Sequence, residues 1–101
     1  MKKIINGKLY NTETARLIGD YEYSNSSDFN WVYEGLYVTK KGQYFLAGKG
    51  GANSKYGKSL GNNSYGGGSN IELLTENEAK EWAEDNLSTD EYTEEFEIEE
   101  G

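Results

Sequence analysis

Thirteen of the eighteen acidic residues of this chain lie between Glu72 and Gly101, where Lys80 is the only base. Residues 1–71 carry nine Lys/Arg against five Asp/Glu, so the net charge of −8 resides in one segment. A one-sign surface steers and holds a partner of opposite sign. The acidic block therefore points to binding of a basic surface, such as one built for nucleic acid. The competing reading is a solvated acidic helix or tail that serves solubility. A second charged group lies upstream: no Asp or Glu occurs from Gly35 to Asn70, while Lys40, Lys41, Lys49, Lys55 and Lys58 do, interleaved with Tyr44, Tyr56 and Tyr65. Lysine with aromatics is the composition of a nucleic-acid contact, the ammonium meeting phosphate and a ring meeting a base. The competing reading is a Gly/Ser/Asn loop with scattered solubilising lysines.

Other chemistries find little support. Cys and His are both absent, which removes disulfides, thiolate ligands, the Cys nucleophile and the commonest general base. Residues Ala52 to Ser59 fit a relaxed P-loop pattern, yet Leu60-Gly61-Asn62-Asn63-Ser64 will not start the helix that must follow one. The C-terminal carboxylates lack EF-hand spacing. Asp28 and Glu34 flank Trp31, but nothing in their spacing makes them converge on a metal. The reading is accordingly a non-enzyme without a cofactor, metal or small-molecule substrate.

These residues must be positioned by a single small domain of 101 residues, with hydrophobic content of only 35% but two Trp, nine Tyr and three Phe to anchor a core. No apolar run is long enough to span a bilayer, and the start, Met1 to Asn6, lacks the apolar stretch of a signal peptide. A cytoplasmic location without membrane partners is expected. Residues 1–47 read as β-hairpins, 48–70 as a Gly-rich loop and 71–101 as a strand followed by an acidic helical terminus. Asn6-Gly7, the dipeptide preferred in type I′ turns, joins residues 3–5 to 8–10. From Trp31 the residues alternate, with Trp31, Tyr33, Gly35 and Tyr37 on one face and Val32, Glu34, Leu36 and Val38 on the other. Lys40-Lys41-Gly42 turns the chain into a return strand over 43–47. Residues 48–68 hold eight of the thirteen glycines, which predicts a long loop or strand fragments joined by turns.

Ile71 to Leu74 reads as the last strand. Thr75 and Glu78 then form a capping box, and Ala79, Trp82, Ala83 and Leu87 recur at helical spacing. Ser88 and Glu91 repeat the cap pattern, with Tyr92 and Phe96 marking a second short helical stretch, and fraying is expected from Glu97 onward. The architecture is thus α+β: an antiparallel sheet of four to five strands in a hairpin meander, with a C-terminal helix packed on one face. Helical Glu rows, at about 1.5 Å per residue, can match the charge density of duplex DNA at one per ~1.7 Å, so the acidic face qualifies as a nucleic-acid mimic. Its expected partner-binding residues are Glu81, Glu84, Asp85, Asp90, Glu91, Glu94 and Glu95. Lys49, Lys55, Tyr56 and Lys58 are the candidates for RNA or protein contact.

The ordered residues also carry a resemblance. Lys3-Ile4-Ile5-Asn6-Gly7-Lys8 with Tyr10, Thr12, Thr14 and Ala15 resembles the start of a family of small acidic proteins from phages, plasmids and other mobile elements of Firmicutes. The similarity continues through Leu36-Tyr37, Thr39-Lys40, Gly42, Tyr44-Phe45-Leu46, Gly48, Gly50-Gly51, Ser54-Lys55-Tyr56, Gly61-Asn62, Ser64, Gly67-Gly68-Ser69, Leu74-Thr75, Glu78-Ala79 and Trp82, covering roughly residues 1–86. Some members of that family look like type II-A anti-CRISPR proteins. The resemblance implies an inhibitor acting in the bacterial cytoplasm on a type II CRISPR effector nuclease, by binding it and blocking guide RNA loading or DNA access. The alternatives are an inhibitor that binds or cleaves the guide RNA, and a small acidic adaptor or antitoxin-like interaction protein.

Overall fold

The computed structural model describes residues 1–101. Strands β1 (Lys2–Ile5) and β2 (Lys8–Asn11) form the N-terminal hairpin. Its turn places Asn6 at φ 52° and Gly7 at φ 76°, both in the left-handed region that a type I′ turn requires. Strands β3 (Arg16–Tyr23), β4 (Val32–Val38), β5 (Tyr44–Gly50) and β8 (Gly68–Leu74) make a four-stranded antiparallel sheet in the order β3-β4-β5-β8. Between β5 and β8 the chain forms a third sheet, the exposed hairpin of β6 (Lys58–Gly61) and β7 (Ser64–Gly66). Helices α1 (Glu76–Asn86) and α2 (Thr89–Glu95) follow. The Gly-rich stretch thus takes the second of its two expected forms, strand fragments joined by turns. Residues 48–50 end β5, β6 and β7 follow and β8 begins at Gly68, so the loop expected over 48–70 is confined to residues 51–57 and the turns. Pairing with a neighbouring strand overrides the low strand propensity of glycine.

Strand alternation gives the sheet two apolar faces. Tyr37, Phe45 and Leu73 lie side by side across β4, β5 and β8. With Ala47 and Ile71 they pack against Tyr10 and Ile5 of the N-terminal hairpin. The Tyr37 and Phe45 rings stack at 5.3 Å, and Tyr10 meets Phe45 edge-on at 5.8 Å. On the other face Leu36, Leu46 and Leu74 pack against Ala79, Ala83 and Phe96 of the helical layer. Ala79 and Ala83 are completely buried, and their small size lets α1 lie close to the sheet.

Both helices start on complete capping boxes. Thr75 Oγ1 accepts from the Glu78 N–H at 3.1 Å and the Thr75 N–H donates to Glu78 Oε1 at 2.9 Å. Ser88 and Glu91 repeat the arrangement at 3.2 and 3.1 Å. Two orphan donors are satisfied at each helix start, which is why seven residues suffice for α2. The far end of α2 is tied to the sheet by Glu95, which pairs with Arg16 Nη1 at 2.7 Å and accepts from the Tyr44 hydroxyl at 3.0 Å. Burial, and then this bond to Glu95, pushes the Tyr44 phenol up to about 12. No helix is long and apolar enough to cross a membrane.

Leu36 is wholly buried beneath α1. Its replacement by Ala is expected to lower unfolding free energy by about 2–5 kcal/mol, read as a lower urea midpoint with an unchanged slope.

Candidate functional site

Glu34 is the one buried carboxylate of the chain, 4% exposed on the helix-covered face of central strand β4. Three donors reach it from two other segments. Trp82 Nε1 of α1 donates to Oε1 at 3.0 Å, while the Tyr56 hydroxyl and Lys55 Nζ both approach Oε2 at 2.5 Å. Burial alone would raise its pKa. The charge-assisted bonds from Lys55, Trp82 and Tyr56 outweigh that cost and hold it below the ordinary carboxylate value. Burial, reinforced by the bond to Glu34, drives the Tyr56 phenol far above its ordinary value, so its hydroxyl stays a donor.

The Gly-rich loop is built around this contact. Gly48 stands directly opposite Glu34 in the β4–β5 register. A Cβ at Gly48 would occupy the space of the Tyr56 ring, so only glycine lets that ring lie on the sheet. Backbone bonds from Gly51 to Trp31 (2.9 Å), Asn53 to Phe29 (2.8 Å), and within the loop from Ser54 to Gly51 and Gly57 to Ser54, complete the fold of residues 51–57.

This geometry divides the lysine group. Lys55, Tyr56 and Lys58 line one shallow depression with Ser69, Asn70 and Glu72. Lys49 projects from the opposite face of β5, its Nζ 5.7 Å from the centres of both the Trp31 and Tyr33 rings. Of the three together, Lys55 and Tyr56 are already engaged with Glu34, although the Lys55 side chain remains 60% exposed. Trp31 and Tyr33 also donate to carboxylates, Trp31 Nε1 to Glu22 Oε2 at 2.6 Å and the Tyr33 hydroxyl to Asp20 Oδ2 at 2.9 Å.

The acidic group also divides. Glu81, Glu84 and Asp85 are exposed on α1 at i, i+3 and i+4, which makes them one stripe; Asp90 and Glu94 are exposed on α2 at i and i+4. None of these five takes part in the chain's ion pairs, which are Arg16–Glu95, Lys55–Glu34 and Lys80–Glu76. Glu91 is half-buried in the cap of α2, and Glu95 is held by Arg16 and Tyr44. Five of the seven acidic candidates thus present free charge, and two hold the helix in place. The role of Glu34 escapes a count of charges, yet a signal was available: it is the lone carboxylate on the Val32, Leu36, Val38 face.

Asp28 accepts from Ser24 Oγ and the Asn30 N–H, sharing no partner with Glu34. No group of three or more Asp or Glu side chains is placed to hold a metal ion. Residues 52–59 run into strand β6, so the helix N-terminus of a P-loop is not formed. Comparison with protein-family models, curated proteins and solved structures gave no match.

Replacing Glu34 by Gln keeps its volume but removes the charge that Lys55 and Tyr56 address. The expected cost is about 1–3 kcal/mol in urea unfolding at neutral pH. Because the folded-state pKa lies below the unfolded one, the advantage of the wild type is fully present above about pH 4.5. It shrinks as pH falls through the folded value. Trypsin should cleave after Lys55 faster in both Glu34→Gln and Gly48→Val, since each releases the Tyr56 ring.

Proposed function

We propose that this chain is a stoichiometric inhibitor of a type II CRISPR effector nuclease, acting in the bacterial cytoplasm by setting its acidic helical layer against the effector's nucleic-acid channel. That channel is positively charged, because it holds the guide–target heteroduplex through its backbone. The supporting observation is the pair of unpaired carboxylate stripes, Glu81, Glu84 and Asp85 on α1 and Asp90 and Glu94 on α2. Their helices are anchored from beneath by apolar packing and at the far end by Glu95, so the backbone that carries the charges is held in place. Such preorganisation lowers the ordering cost of binding. The resemblance to proteins of mobile elements supplies the choice of target, and the charge supplies the mode of contact. Guide loading is the step most exposed to such a competitor, since an occupied channel already holds its own polyanion.

Added to the effector before guide RNA, the protein should block target cleavage at near-equimolar ratio; added after, it should act weakly. Inhibition should fall steeply between about 50 and 200 mM salt, as expected of a multi-charge contact. The variant Glu81→Gln/Glu84→Gln/Asp85→Asn/Asp90→Asn/Glu94→Gln should lose at least about tenfold in potency while keeping its fold. Full potency in that variant, or no inhibition at large molar excess in either order, would sink the reading.

A further inference from the structure

A second charged feature lies away from the helical layer. Strand β2 and the bend after it form one wall of a cleft of about 610 Å³, and the β4–β5 turn forms the other. Lys8, Lys40 and Lys41 all line it, and no Asp or Glu does. None of the three belongs to an ion pair, although the chain holds eighteen acidic residues. Three exposed lysines lining one cleft give it charge of a single sign, which a bound anion would neutralise. The remaining polar groups add donors. Thr39 Oγ1 accepts from the Gln43 N–H, which leaves its own proton to donate. Asn11 Oδ1 accepts from the Glu13 N–H, which leaves its amide hydrogens free. Leu9, 58% exposed, supplies an apolar wall.

We infer that this cleft binds the phosphate groups of a nucleotide, either free or at the end of a nucleic-acid strand. The donors suit a multiply charged anion with several oxygens, and Lys is a well-suited point charge for phosphate. The volume falls within the range of about 300–1,000 Å³ typical of small-ligand sites, so a base can follow its phosphates into the cleft. Tyr10 belongs to the hairpin-covered core and the acidic stripes to helices on the opposite face. The site is consequently independent of the proposed inhibition and stands or falls separately from it.

The test is calorimetric titration of the full chain with ADP, with a short single-stranded RNA bearing a 5′-phosphate, and with the same RNA bearing a 5′-hydroxyl. Binding of ADP alone would identify a free nucleotide as the ligand. Binding of the 5′-phosphorylated RNA in preference to the hydroxyl form would identify a strand end. In either case Lys40→Gln/Lys41→Gln, and separately Lys8→Gln, should weaken binding by roughly tenfold or more. Lys49→Gln/Lys58→Gln, outside the cleft, should change it less than about twofold. Three outcomes would overturn the inference: no binding of any probe at about 1 mM, binding indifferent to the cleft lysines, or binding lost in Lys49→Gln/Lys58→Gln.

Discussion

A carboxylate buried in the middle of a sheet is costly unless its charge is met by donors on every side. Glu34 meets that condition with a tryptophan from α1 and a lysine and tyrosine from the Gly-rich loop. Three parts of the chain are joined at this one residue: the central strand, the loop that follows β5, and the first helix. The contact makes sense of local choices that otherwise look arbitrary. Gly48 is small so that Tyr56 can cross the strand, and Trp82 stands on the sheet-facing side of α1 so that its indole N–H reaches Oε1.

The same arrangement decides where the charges end up. Helices and loop share one face of the four-stranded sheet and meet at Glu34, while the N-terminal hairpin covers the other. The acidic segment, once folded as α1 and α2, is confined to the first face. Lys8, Lys40 and Lys41 gather at the cleft between the hairpin and the β4–β5 turn. An asymmetry along the sequence becomes in part an asymmetry in space, with the lysine cleft beside the hairpin and the acidic helices on the other face of the sheet. Arg16, Lys55 and Lys80 are the exceptions, since their charges are spent on Glu95, Glu34 and Glu76 and not offered freely to a partner.

Local features were legible in the chain itself. Asn6-Gly7, Gly42 in its turn, and the two capping boxes are specified within four residues of one another, and the structure contains each. The alternation from Val32 to Val38 likewise separates the two faces of β4. Features that need distant segments were less legible. That Lys49 and Lys55 fall on opposite faces depends on how the chain folds back after Gly50. That Glu95 is taken up by Arg16 depends on where α2 docks. The β6–β7 hairpin hides in a Gly-rich stretch because its turn is made by Asn62 and Asn63, at φ 48° and 63°, with few apolar residues to mark the strands.

The central claim is that Glu34, through Tyr56, orders the Gly-rich loop on the sheet. Amide hydrogen exchange over residues 51–57 tests it most directly, comparing wild type with Tyr56→Phe, which keeps the ring and removes the hydroxyl. The Gly51 and Asn53 amides, bonded to Trp31 and Phe29, should be protected in the wild type and exchange markedly faster in the variant, with α1 amides unchanged. Unprotected Gly51 and Asn53 amides in the wild type, or protection indifferent to the Tyr56 hydroxyl, would contradict it.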